Sequence, residues 1–398
     1  MSSPTDSALR IAVVVHGRFH SFDLARELRN LGHDVTIFTN YSKRQAAQFG
    51  LGPEDVVSFP IHRWIGAIFH RLPTRLTDLA EPALHRAFGR WARSAVRGRK
   101  FDLIYAFSGV SEELYSSDAT GGALRLLVRG SSHIETQHQI LTEEERRLGS
   151  LVDKPTTWIR QREQREYSLA DQIVVLSQFA YDSFIDHGIS ASKLNLLTLG
   201  SELERFRADV HTLKERKTRI LSGQPLRILT VGTWSSRKGV RDIQRVAREL
   251  SEKHQFRFVG TVTNDGKREA DSAQDVVQFR PRVPQHELSD EYAWGDVFFF
   301  PTLEDGYAVV LAQAYAGGLP ILSTASCAAP ALVNEGQTGW IRTVRDVEGF
   351  VEVLRWCDQN RQELAEMVER VASDFQQRDW SDVARDFSQQ MARRLGRC

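Results

Sequence analysis

Two short segments hold most of the residues able to do chemistry. One is Val231-Gly232-Thr233-Trp234-Ser235-Ser236-Arg237-Lys238-Gly239. Two adjacent cations between an apolar run and a helical pattern suit a diphosphate: Arg grips two oxygens at once and Lys adds a point charge. The other runs from Phe299 through Glu304, Asp305, Gly306, Tyr307 and Ala308 to Gln313. Its carboxylates would repel phosphate, so they are expected to address hydroxyl groups. A strand, a turn and a helix whose first N–H groups face a ligand is how α/β proteins hold phosphates and sugars. An isolated Arg-Lys pair would read as a solvated turn. Here both loops follow strands of one sheet, and strand-end loops meet at the site.

The N-terminal half supplies a facing set. His16-Gly17-Arg18-Phe19-His20 follows the apolar run Leu9–Val15. Gly17 would let the backbone approach a diphosphate or an acceptor. Arg18 and His20 are candidates for an acceptor phosphate, with turn stabilisation as the plain alternative. Arg129-Gly130-Ser131-Ser132-His133 follows the run Leu124–Val128. His133 in such a loop is a candidate for the cleft, although a bare His is more often packed or at the surface.

The elements that must position these residues read as two βα series. Strands are expected at Leu9–Val15, Asp34–Thr39, Leu103–Phe107, Leu124–Val128, Gln172–Leu176 and Leu194–Leu197. A second set falls at Leu226–Val231, Phe256–Val259, Val276–Phe279, Val297–Phe300, Leu319–Ser323 and Trp340–Thr343. Helical spacing is read over Ser21–Leu31, Thr142–Ala170, Gln178–His187, Val240–Lys253, Gln285–Trp294, Pro330–Glu335 and Trp380–Leu395. The polar stretch Leu203–Pro225 reads as a linker. The expected fold is α/β: two facing Rossmann-like, doubly wound domains with a cleft between them. The divisions are an acceptor-side domain over 1–206, a nucleotide-sugar domain over 207–375, and a terminal helix over 376–398 crossing back to the first.

Length and composition agree with this. A chain of 398 residues exceeds one ordinary core. A net charge of +1 does not point to nucleic acid. The three cysteines are scattered and odd in number, which suggests a reducing compartment, so the cytoplasm is expected. The start of the chain is polar and lacks an apolar signal core. Charge is uneven, however. Residues 62–100 contain nine Lys and Arg against Asp78 and Glu81, interleaved with Trp64, Ile68, Phe69, Phe88 and Trp91. Such a segment can lie on an anionic membrane, here the inner face of the plasma membrane; an ordinary solvated helix pair is the plain alternative.

The motifs resemble those of the retaining GT-B glycosyltransferases of family 4. Ser236-Arg237-Lys238-Gly239-Val240 is similar to that family's Arg/Lys-Gly loop. Asp305 through Gln313, then Ala314, Gly318, Leu319, Pro320 and Ile321, is similar to its acidic motif and following strand. Gly336–Trp340, Gly32–Val35, Leu176–Ala180 and Leu199–Phe206 match further family patterns, so the resemblance covers nearly the whole chain. It implies transfer of a sugar from a nucleotide diphosphate to a hydroxyl of a lipid-linked or cell-surface glycan precursor. It implies Arg237, Lys238, Asp305 and His133 as the catalytic group. Gly17, Gly232, Glu304, Gly306, Tyr307, Ala308 and Gln313 fall to the donor, and Arg18 and His20 to the acceptor. The family's second acid is Gln313 here; a ribose hydroxyl would donate to its carbonyl, a neutral and weaker bond. The plain alternative for Gln313 is a half-buried helix residue whose amide is satisfied locally, as a solvated turn residue is for Glu304. No Asp-x-Asp turn of the kind that holds Mg²⁺ is seen, so no metal and no cofactor are expected. A nucleotide-sugar epimerase of the same architecture is the second enzyme reading, and a nucleotide-sugar-binding scaffold with weakened turnover the third.

Overall fold

The computed structural model describes residues 8–60, 74–284, 286–375 and 378–397. Part of the basic segment 62–100 therefore lies outside the described residues. Two parallel sheets form the frame. In the first, β1 (Arg10–Val15), β2 (Asp34–Thr39), β3 (Val56–Ser58), β4 (Leu103–Phe107), β5 (Leu124–Val128), β6 (Gln172–Val175) and β7 (Leu194–Leu196) lie in the order β3-β2-β1-β4-β5-β6-β7. In the second, β8 (Arg227–Trp234), β9 (Gln255–Val262), β10 (Val277–Pro281), β11 (Val297–Phe300), β12 (Ile321–Thr324) and β13 (Gly339–Arg342) lie in the order β10-β9-β8-β11-β12-β13. Each is a doubly wound sheet whose order reverses beside its first strand, and the crevice for ligands opens at that reversal.

The central strands read as continuous apolar runs because helices cover both faces of the sheets. Ile11–Val15 and Val297–Phe300 are buried throughout. Register follows: Val13 sits between Ile37 and Tyr105, and Phe298 between Leu229 and Ile321.

Several elements differ from the sequence expectation. β3 is an edge strand of three residues, too short for a periodic signal. The stretch 142–170 is not one helix: Ile134–Leu148 ends at Gly149 in the left-handed region, and Thr157–Leu169 restarts after Thr156, whose side chain accepts from the amide of Ile159. The expected helix Pro330–Glu335 is a single 3₁₀ turn, Ala329–Ala331, and the helix expected from residue 285 begins at Leu288.

The largest correction concerns 203–225. Most of this stretch is not a polar linker but a helix, Val210–Leu221, capped by Asp209 accepting from Thr212 N at 2.7 Å. Its charged composition misleads because one charge is a buried strut. Arg216 is fully buried and donates to the carbonyls of Gly295, Gly317, Gly318 and Tyr292 at 2.7–3.0 Å. Those carbonyls lie at the ends of the helices flanking β11 and β12, where intrahelical partners run out.

The last helix, Trp380–Arg394, packs on the first sheet. Trp380, Val383, Phe387 and Met391 share a core with Phe22, Leu28 and Tyr105. His33 bonds Ser388 at 2.8 Å, and Arg397 pairs with Asp102. The chain thus crosses to the second sheet and returns, which ties the two sheets together twice. Among the described residues, no helix is long and apolar enough to cross a membrane.

Candidate active site

The loops leaving the C-terminal ends of β1, β5, β6, β7, β8 and β11, with Phe107 at the end of β4, surround a cleft of about 510 Å³ between the two sheets. Arg237 and Lys238 form a single 3₁₀ turn after β8. Gly239, in the left-handed region, closes that turn, and a Cβ there would lie 2.0 Å from the carbonyl oxygen of Pro301. The two strand-end loops are sewn together by Leu303 N donating to Arg237 O at 3.0 Å. Both cations therefore stand on backbone that is fixed from two strands.

Their partners are the two neighbouring carboxylates, which do different work. Asp305 is on the cleft wall. Its Oδ1 accepts from the amides of Tyr307 (3.1 Å) and Ala308 (3.0 Å), and its Oδ2 pairs with Lys238. Burial would raise its pKa, but Lys238 and Arg237 hold it below the usual carboxylate range. Asp305 is thus the counter-ion of Lys238 and the cap of the loop before helix Val309–Ala316.

Glu304 does not line the cleft, contrary to its assignment to the donor. It is fully buried between the two sheets. Oε1 accepts from Ser131 Oγ, Ser132 N (2.9 Å) and Ser132 Oγ (3.0 Å); Oε2 accepts from Gln137 Nε2 (3.2 Å) and Arg237 Nη1 (3.1 Å). Burial opposes its ionisation, yet Arg237 and the bonds from Ser131 and Ser132 keep its pKa low. Gly306 is here for the same junction: a Cβ would fall 2.1 Å from the carbonyl oxygen of Gly130 in the opposite domain. It too is absent from the cleft wall.

The helix does not begin near Gly306. Asp305 occupies the amides of Tyr307 and Ala308, Ala308 takes a left-handed φ of 65°, and the helix starts at Val309. The amides at its open N-terminal end are those of Val309 and Val310, both on the cleft wall. Gln313, one turn on, is also on the wall, but its carbonyl oxygen already accepts from the buried hydroxyl of Tyr292 at 2.9 Å. One lone pair of that oxygen is therefore already used inside the second domain.

On the facing side the outcome is mixed. His133 is a helix cap, not a cleft residue: Nδ1 accepts from the amide of Glu135, and the ring stacks 4.1 Å from that of His187 among Tyr167 and Phe184. Burial, with help from His187 and Arg129, lowers its pKa to about 3, so it is neutral. Gly17 lies behind the wall, donating to Asn40 Oδ1 at 2.9 Å. Arg18 and His20 do line the cleft, as do Gly232 and Tyr307. Arg18 leans on Phe49 (4.2 Å) and pairs with Asp23; His20 bonds the Tyr105 hydroxyl at 2.8 Å, and burial lowers its pKa to about 3. Ser131, Ser132, Gln137 and Tyr292 were not singled out in the sequence. Their roles exist only once the two domains, or two helices, are brought together. Among the described residues, no group of three or more His, Cys, Asp or Glu is placed to hold a metal ion.

Two consequences are measurable. Glu304→Ala strands Arg237 and the Ser132 amide, so unfolding should cost on the order of 3 kcal/mol less, and solution scattering should show a wider molecule; an unchanged scattering curve and denaturation midpoint would refute the junction. His133 takes up a proton in the unfolded chain near pH 6.5 but in the folded chain only near 3. The stability it contributes is therefore complete above pH 6.5 and is lost as pH falls toward 3. His133→Asn keeps a capping side chain and should flatten that slope by up to about 1.4 kcal/mol per pH unit; chemical denaturation at pH 4–7 tests it.

Comparison with known proteins places the cleft. Residues 18–205 match the family described as Glycosyltransferase Family 4, and residues 225–360 match Glycosyl transferases group 1. The amylovoran biosynthesis glycosyltransferase AmsK of Erwinia amylovora is 25% identical over 218 residues, 51% of this chain and 51% of its own, so the match spans about half that relative's length. A D-inositol 3-phosphate glycosyltransferase of Corynebacterium aurimucosum is 24% identical over 382 residues, 90% of this chain and 86% of its own. Among solved structures, Anabaena HepE in complex with UDP and glucose aligns with a TM-score of 0.67 at 14% identity, over 97% of this chain and 100% of that one, a likeness of fold. The two family matches fall on the two sheets that enclose the cleft, the second containing both the Arg237-Lys238 and the Asp305 loops, and the chain belongs to the group 1 glycosyltransferases of GT-B fold.

Proposed function

We propose that the chain is a retaining glycosyltransferase that moves a hexose-type sugar from a nucleotide diphosphate to a hydroxyl of a lipid-linked or cell-surface glycan precursor. The observation that carries this reading is the pair Arg237 and Lys238, fixed on the cleft wall beside the open amides of Val309 and Val310. Together they offer a leaving diphosphate positive charge from three directions, which is electrostatic catalysis and calls for no metal ion. Asp305 and Glu304 keep the cations in place before the donor arrives. As the C1–phosphate bond breaks, the acceptor oxygen bonds C1 on the same face, and its proton passes to the departing phosphate oxygen. Enclosure between the sheets excludes water that would otherwise take the sugar. AmsK, named for amylovoran biosynthesis, supports a glycan precursor as acceptor, whereas the D-inositol 3-phosphate glycosyltransferase is named for a small phosphorylated cyclitol; HepE, solved with UDP, makes UDP the first nucleotide to try.

The reading includes an anionic membrane surface. On helix Thr74–Val96 and the turn after it, Leu79, Ala83, Arg86, Arg90, Arg93 and Arg97 are exposed at alternating steps of four and three residues, which is one helical face. Leu79 is 77% exposed. An apolar end followed by four cations fits a lipid interface.

Thermal shift against UDP, GDP, ADP and dTDP should reveal one stabilising nucleotide. Arg237→Ala and Lys238→Ala should each weaken it roughly ten- to a hundredfold, the worth of one charge-assisted contact; unchanged affinity and turnover would sink the diphosphate assignment. Flotation with vesicles containing phosphatidylglycerol should recover the protein, and Arg90→Glu with Arg93→Glu should cut recovery by more than about tenfold. Equal flotation of variant and parent would remove the membrane from the picture.

A further inference from the structure

The turn after β1 holds the most conspicuous aromatic residue of the cleft. Phe19 is 63% exposed, while the other aromatic side chains of the wall are buried, as are Phe107, Phe300 and Trp380, or half-buried, as is Tyr307. Its φ of 44° is in the left-handed region, which a bulky residue adopts at a cost. The surroundings enforce it: Gly17 is tied to Asn40, and Ser21 Oγ donates to the carbonyl of Arg18 at 2.6 Å. Local strain held in place by its neighbours collects at working sites. One face of the Phe19 ring lies on Phe107, with centroids 5.1 Å apart and planes 21° apart. Phe19 lines the cleft with most of its surface open.

The chemistry around it selects an occupant. Asp23, Ser201 and Glu202 line the same cleft, and Asp23 and Glu202 are linked through Arg26. A flat aromatic face with hydroxyl-binding groups beside it matches a pyranose ring. The sugar's axial C–H groups are drawn to the negative face of the aromatic ring, and its equatorial hydroxyls reach polar neighbours. A purely hydrocarbon chain would find no use for the carboxylates. Across the cleft stand the cations assigned to the donor, so a ring on Phe19 would present its hydroxyl toward them.

We propose that Phe19 is the stacking platform for a pyranose ring of the acceptor, a subsite that rests on the glycosyltransferase reading above. The test uses the full chain saturated with whichever nucleoside diphosphate stabilises it. Saturation-transfer NMR is recorded with the methyl glycosides of glucose, galactose, mannose and N-acetylglucosamine. The parent should give transfer to the ring protons of at least one glycoside. Phe19→Trp should keep it, while Phe19→Leu, of similar apolar character but without a π face, should lose roughly tenfold in affinity. Phe19→Gly should lose the contact while its melting temperature stays level or rises, because glycine accepts φ 44° without strain. Nucleotide stabilisation should be the same in all variants. Equal transfer in Phe19→Leu and parent, or none to any glycoside in a parent that binds nucleotide, overturns the subsite. A parent that binds no nucleoside diphosphate overturns the underlying reading instead.

Discussion

Glu304 is a carboxylate with no access to solvent, and the site depends on how it is satisfied. An ionised group in such a place is tolerated only when its lone pairs are all used. Ser131, Ser132 and Gln137 come from the first domain and Arg237 from the second, so the donors that satisfy Glu304 also clamp the domains together. The clamp has a geometric condition, the absence of a Cβ at Gly306, and a positional result, an Arg237 side chain aimed along the cleft wall. A second set of contacts secures the same helix, Ile134–Leu148, further along: Arg147 pairs with Asp242, and Arg345 with Glu144. One helix of the first domain is thus bound to the second domain near both of its ends.

The adjacent carboxylates separate two tasks that a single acid could not perform. Glu304 is spent on the junction, which leaves Asp305 to face the cleft and hold Lys238. Gln313 continues the pattern of pre-committed groups. Its carbonyl oxygen is bonded to the buried Tyr292 hydroxyl at a place where the related pattern has an acid. The aromatic and cationic walls then divide the cleft, with Phe19 and Phe107 on one side and Arg237 and Lys238 on the other.

Much of the architecture was legible in the sequence because it depends on local period and local punctuation. The apolar runs Ile11–Val15 and Val297–Phe300 can only be strands buried on both faces, and Gly239 marks a turn that only glycine makes easily. The helix Val210–Leu221 was hidden because a polar composition says nothing of whether an arginine is solvated or, like Arg216, wedged among carbonyl ends. His133 misled for the converse reason. A histidine after a strand can face a cleft or cap the next helix, and the choice turns on Phe184, Tyr167 and His187, which lie distant in sequence.

By itself, then, the sequence determined the two βα series, the loops that end at the cleft, and the residue types able to grip a diphosphate, since each follows from spacing along one stretch of chain. Tertiary structure decided which of two neighbouring acids faces the cleft, where the helix after Asp305 begins, and that the Gln313 carbonyl is bonded to Tyr292. Those outcomes rest on partners from the other domain or another helix, and hydrogen-bond satisfaction in a buried junction is a property of the assembled pair of surfaces, invisible to either strand-end loop read alone.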